Sequence, residues 1–172
     1  MNTISISESG MDFGLHPAGN LFYIEKSRSY QNIQSRVRIA EFLLLHPSHN
    51  TKFYIIEAKS SSPKPQTQPS FDEFIKEICE KFANSLALFM AVYLKRHSST
   101  CCELPQSFQN LAIDKADFRL TLIIKGHKED WLQPLQDALR KALYPMVRTW
   151  DMSPNSVLVL NDTIARRYKL IS

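Results

Sequence analysis

Cysteine is scarce in this chain of 172 residues. Cys79, Cys101 and Cys102 are the only three. Adjacent cysteines rarely bridge, and none of the spacings matches a zinc motif, so neither a disulfide framework nor a structural zinc is expected, and the compartment reads as reducing. Long apolar runs are missing too. The longest, LALFMAVYL at residues 86–94, falls far short of the ~20 residues that cross a bilayer. The opening MNTISISESG has neither a basic region nor an apolar stretch, so no signal peptide and no membrane partner are expected, and the protein is expected in the cytoplasm. A strong charge of one sign is also lacking. The formal net charge is +4 and the pI near 9.0, which permits contact with nucleic acid without requiring it. No repeat is present, and low complexity is confined to SSSPKPQTQPS at residues 60–70. What remains is ordinary globular composition: 44% hydrophobic and 22% charged residues argue against wholesale disorder and for one domain over residues 1–172 with a real core.

The pattern along the chain predicts a mixed α/β fold, a central sheet with a long buried helix. Residues 3–15 and 20–30 read as short strands joined by a turn at Pro17 and Gly19. No helix is expected ahead of them. VRIAEFLLL at 37–45 and KFYIIEAK at 52–59 read as two strands of a hairpin across the polar turn HPSHNT. Residues 60–70, with three prolines, form a loop. Ser70 followed by Glu73 is a capping-box pattern, and the spacing of Phe71, Phe74, Ile75, Ile78 and Phe82 predicts a helix to about Leu94. Its second half is apolar all round and should be buried on most sides. Residues 98–114 read as loop, 118–125 as a strand ended by Gly126, 129–143 as an amphipathic helix, 156–160 as a strand, and 162–168 as a short helix capped by Asn161 or Asp162.

The chemistry gathers at the second hairpin strand. Glu57 and Lys59 stand two apart, so both side chains leave the same face of an otherwise apolar strand. If the hairpin turns about His49, Leu45 pairs with Phe53, Leu43 with Ile55, and Glu41 with Glu57. Two carboxylates opposite each other repel, and partial burial adds a desolvation cost. A proton on one of them, the Lys59 ammonium, or a divalent cation between them would relieve the repulsion. Mg²⁺ suits a site of one or two carboxylates completed by water and phosphate.

Glu41 on one strand and Glu57-Ala58-Lys59 on the next resemble the PD-(D/E)XK nuclease superfamily. The likeness covers residues 37–125, including the order of strands, helix and strand. It implies a restriction-endonuclease-like core, Glu41 and Glu57 as ligands of Mg²⁺ or Mn²⁺, and Lys59 as the catalytic lysine. The first acid is glutamate where the family commonly has aspartate. The family also commonly opens with a helix bearing a further glutamate, which these first residues do not suggest. Glu25 is the best-placed substitute, with Glu8 and Asp12 behind it.

The expected function is therefore hydrolysis of phosphodiester bonds, DNA rather than RNA, by a small endonuclease. Recognition would come from a homo-oligomer or from partner subunits, as in anti-phage defence systems that use such domains. The alternative is a catalytically inactive nuclease-like subunit serving as scaffold or nucleic-acid-binding part of a larger complex. Lys64, and the basic cluster Arg166, Arg167 and Lys169, are candidate phosphate contacts. His46 and His49 read as solvated turn residues, Lys95, Arg96 and His97 as cations closing the long helix, and Trp131 and Trp150 as core or interface anchors.

Overall fold

The computed structural model describes residues 2–49, 51–97 and 103–172. Five strands form a mixed sheet in the order β3-β4-β5-β6-β7, from Leu21–Phe22 (β3), Phe42–Leu45 (β4), Lys52–Lys59 (β5), Asp117–Ile124 (β6) and Val157–Asn161 (β7). β3, β4 and β5 pair antiparallel, whereas β5, β6 and β7 run parallel. The parallel neighbours are joined by helical crossovers, Ser70–Tyr93 (α2) and Glu129–Thr149 (α4). Both helices lie on one face, because right-handed crossovers that step in the same direction along the sheet return on the same side. Short helices fill two connections, Arg28–Gln31 (α1) and Gln106–Gln109 (α3), and Asp162–Arg167 (α5) follows the last strand.

Alternation along the strands sorts the core into two layers. Leu43, Leu45, Phe53, Ile55, Leu120, Leu122 and Val159 meet α2 and α4. Phe42, Leu44, Tyr54, Ile56, Ala58 and Leu160 face the other way. That second layer is closed by a separate hairpin, Thr3–Glu8 (β1) with Met11–Pro17 (β2), and by Ala165, Leu170 and Ile171. The hairpin turns at Ser9 and Gly10, both at positive φ. Its tip reaches the carboxyl end of β5, where the Ser9 hydroxyl donates to the Ala58 carbonyl at 3.0 Å.

The expected hairpin register at 42–56 is observed: Leu45 pairs with Phe53 and Leu43 with Ile55. Several expectations need correction. Residues 3–15 are no single strand, because the Ser9-Gly10 turn folds them back on themselves. Residues 20–30 pair only at Leu21–Phe22 and then enter two helical turns. Residues 37–41 precede β4 without ladder pairing. Ser70 is the first residue of α2 and not its cap. Pro69 holds the cap position without a side-chain bond. The second half of α2 buries Leu86, Leu88, Phe89 and Val92 but leaves Ala87 exposed and Met90 and Ala91 half-buried, so its apolar surface is only partly covered. α4 continues to Thr149 through Pro145, with Val147 held in the core. The 98–114 segment contains α3 and a 3₁₀ turn at 113–115. Its residues 98–102 lie outside those described, as do Cys101 and Cys102. No helix among the described residues is long and apolar enough to cross a membrane.

Candidate metal centre

The carboxyl end of β5 is where the charges collect. Glu57 follows the pleat of its strand to the α2 side and is fully buried. Its Oε1 accepts from the Lys81 ammonium at 2.6 Å and lies 3.2 Å from the Lys59 ammonium. Its Oε2 is buried without any hydrogen-bond partner. Lys59 is only about a quarter exposed and turns back to α2, where Glu77 accepts from it at 3.2 Å. Arg38 approaches Glu77 from the segment before β4, at 3.8 Å. β5 and α2 thus interleave charges in the order Lys81, Glu57, Lys59, Glu77.

Burial pushes the Glu57 carboxyl upward, more than its two ammonium neighbours pull it down. Burial alone would lower the Lys59 amine. The Glu57 and Glu77 carboxylates outweigh that and hold it above its ordinary value, so Lys59 remains a cation. Glu77 shows the complementary balance: burial acts upward, and the bond to Lys59 with the charges of Lys59, Lys81 and Arg38 takes it below the usual range.

Glu41 does not complete the ladder pair with Glu57. The ladder ends at Phe42 opposite Ile56, and the Glu41 amide also bonds the Ile56 carbonyl, at 3.0 Å. Two residues on one strand then oppose one on the other, the arrangement of a β-bulge, which re-aims the extra side chain. The preceding residue is fixed as well, since the buried Ser85 hydroxyl of α2 accepts from the Ala40 amide at 2.8 Å. Re-aimed, Glu41 meets Glu8 and Glu25, and one oxygen from each of the three carboxylates lies within 4.8 Å of the others. Glu8 arrives at the end of β1. Glu25 arrives on the 3₁₀ turn after β3, where its amide bonds the Glu41 carbonyl at 3.3 Å. The Tyr23 hydroxyl donates to Glu8, and Lys26 reaches Glu25 from solvent at 3.9 Å.

The Glu41 carboxyl is pushed up to about 8, first by burial, then by the Glu57 charge and by its hydrogen bond and repulsion with Glu25. Glu8 is raised by burial and by Glu25. Glu41 therefore feels both the Glu57 side and the Glu8–Glu25 side of the centre. Three carboxylates with oxygens within 4.8 Å of one another are a donor set for a hard divalent cation such as Mg²⁺ or Mn²⁺, and Glu57, outside that group, acts on Glu41 through its charge.

Of the residues singled out in the sequence, Glu41, Glu57 and Lys59 thus share one region with Glu25 and Glu8, while Asp12 pairs instead with the Ser7 hydroxyl, at 2.6 Å. His46 and His49 sit at the opposite end of β5, their rings 5.1 Å apart. Lys64 lies over the Trp131 ring. Arg166 is tied to Asp162 and to the Ser172 carbonyl. Arg167 and Lys169 are exposed on the side of α5. Trp131 and Trp150 are 43% and 42% exposed, so neither is a core anchor. Lys81 and Glu77 are missing from the sequence reading. Their signal is a four-residue spacing that sets two opposite charges on one flank of a helix otherwise packed on β5. No protein-family model matches the chain, and no curated protein or solved structure matches it.

Proposed function

We propose that the chain is a metal-dependent phosphodiesterase of nuclease type acting on nucleic acid, DNA before RNA, on a restriction-endonuclease-like core. The observation that carries this reading is the meeting of Glu41, whose carboxyl is pushed up to about 8 by burial and by the Glu57 charge, with Glu8 and Glu25. Glu8, Glu25, Glu41 and Glu57 would hold Mg²⁺ or Mn²⁺. Such an ion, when bound, polarises the phosphoryl group and acidifies a water.

The protein's own groups have separable roles. Glu41 releases its proton when a cation replaces it. Lys59, kept protonated by Glu57 and Glu77, is suited to orient water and stabilise negative charge developing on a phosphate, and unsuited to act as a base. Lys81 neutralises Glu57 from the helix side and keeps that carboxylate facing the centre. Tyr23 holds Glu8 in place. The working form would be cytoplasmic and would draw specificity from a second copy or a partner subunit, since the sheet edge offers little surface for reading bases. An anti-phage setting is part of the same proposal.

A second reading, a scaffold subunit without turnover, is favoured by one specific contact: Lys81 lies 2.6 Å from Glu57 Oε1, and Lys59 is already held by two carboxylates. Plasmid DNA incubated with Mg²⁺ or Mn²⁺ separates the two. The nuclease reading expects nicking or linearisation that is lost in Glu57→Ala and Lys59→Ala and abolished by EDTA. Equal cleavage by wild type and both variants refutes the assignment. Absence of cleavage, with a nucleic acid or protein partner still bound, supports the scaffold.

A further inference from the structure

A cavity of about 320 Å³ lies between the 60–70 loop and the first turns of α4. It opens beyond the carboxyl ends of β5 and β6. Trp131 forms its aromatic wall and remains 43% exposed. The Lys64 and Lys128 ammonium groups stand 5.7 and 5.1 Å from the centroid of that ring. The His127 ring packs edge-on to it at 5.2 Å. His127 is itself positioned: Nε2 lies 3.2 Å from the Ser62 hydroxyl, and its carbonyl accepts from Asn161 Nδ2 at 2.9 Å. Burial lowers its affinity for a proton, so a neutral ring lines the cavity.

We infer that this cavity is a nucleobase-stacking subsite for a single-stranded stretch of the substrate, with Trp131 as the platform and Lys64 and Lys128 as contacts to the flanking phosphates. This rests on the nucleic-acid part of the proposed function and adds the substrate form: one unpaired base near the cleavage point. Asp130 also lines the cavity and opposes a bare anion. A base is uncharged and its π face suits an indole; on stacking it would displace the lysine ammonium groups that now stand over the Trp131 ring and free them for its flanking phosphates. Ser62 is three residues beyond Lys59, at most about 10 Å of extended chain. The cavity therefore adjoins the Lys59 end of β5. Pro63 lines both this cavity and the groove that carries Arg38 and Glu77, so a strand can pass from one to the other without crossing the core.

Trp150→Phe leaves Trp131 as the sole tryptophan and makes its fluorescence a direct probe. In EDTA, a fluorescently labelled ten-residue oligothymidylate is expected to bind by anisotropy and to quench Trp131 saturably. The same sequence as a duplex should quench much less. Lys64→Ala and Lys128→Ala should each weaken binding several-fold and reduce the logarithmic salt dependence by about 0.7. Trp131→Leu, followed by anisotropy, should weaken it roughly tenfold or more. Absence of binding, binding without quenching, equal affinity in Trp131→Leu and wild type, or quenching by a proline-rich peptide in place of the oligonucleotide each overturns the inference. If Trp131→Leu fails to fold by circular dichroism, the lysine variants and the quenching decide. Metal-dependent cleavage that survives unchanged in Lys64→Ala and Lys128→Ala removes this subsite but leaves the proposed function. Quenching without any cleavage does the reverse.

Discussion

Removing the Lys81 ammonium should expose how Glu57 is kept buried. Lys81→Met retains most of the side-chain volume and deletes the charge that sits 2.6 Å from a carboxylate with no solvent exposure. Breaking one partner out of a buried ion pair costs about 3–5 kcal/mol. Here Lys59 remains at 3.2 Å from the same oxygen, so the expected loss is near the lower end, about 3 kcal/mol at pH 8. The loss depends on pH in a defined direction. Burial already raises Glu57 above the ordinary carboxylate value, and losing Lys81 raises it further. Between the unfolded value and the folded one, the folded state binds the extra proton, so stability falls as pH rises through that window. Toward acid pH a proton takes over the role of the Lys81 charge, so the variant should lose less at pH 5 than at pH 8. Urea unfolding at the two pH values measures this, and Glu57→Gln in the same chain should restore most of the loss at pH 8. An equal loss at both pH values, or no recovery in the double variant, would refute the reasoning.

Other perturbations follow from the same geometry. Because the Glu41 carboxyl is pushed up to about 8 and is near 4.5 when unfolded, its contribution to metal-free stability declines as pH rises between those values. The ceiling is about 1.4 kcal/mol per pH unit, and Glu41→Gln should flatten that slope in urea titrations. Ser85→Ala leaves the buried Ala40 amide without its acceptor. It should cost about 1–3 kcal/mol and weaken Mn²⁺ binding by calorimetry, since the bulge that aims Glu41 begins at the next residue. Gly10 has a φ of +73°, and an added Cβ would lie 2.7 Å from the Lys125 ammonium. That ammonium can swing away and the backbone cannot, so Gly10→Ala should cost about 1–2 kcal/mol in thermal unfolding.

How far the sequence foretold this arrangement differs from one stretch to the next. β5 was readable to the residue because KFYIIEAK lies between a polar turn and a Ser/Pro segment, so composition and geometry change together. The hairpin register followed from the turn at 46–51 for the same reason. The helices α2 and α4 followed from apolar spacing, whereas the extension of α4 past Pro145 depends on Val147 finding the core, which no local pattern reports. The first thirty residues misled because ISIS and LFYIEK have strand-like composition, which outweighed the Ser9-Gly10 dipeptide, itself a turn signal. At the site, Glu57 and Lys59 were readable from period-two alternation. Glu41 was readable as an acid but not as to its direction, because a bulge cancels the alternation at one residue. Lys81 and Glu77 could be recognised as partners only once α2 was known to lie across β5.

The bulge also explains why so many acids can coexist there. Had Glu41 continued the ladder, it would have stood directly across from Glu57, between that carboxylate and α2. Lys81 would then have had two anions to serve. By turning Glu41 toward Glu8 and Glu25, the chain divides the problem. Lysines compensate Glu57, and the other three acids are served only at a distance, Glu8 by the charges of Lys26 and Lys81 and Glu25 by Lys26 at the solvent edge. A proton on Glu41 is enough to relieve that cluster in the metal-free state. On the proposed reading a divalent cation would compete with that proton for the same carboxylates, so metal affinity should rise with pH and binding should release close to one proton at neutral pH. Calorimetry of Mn²⁺ binding in two buffers of different ionisation enthalpy counts that proton. A count near zero in wild type would mean that Glu41 is not a ligand. A count that persists in Glu41→Gln would assign the proton to another member of the cluster.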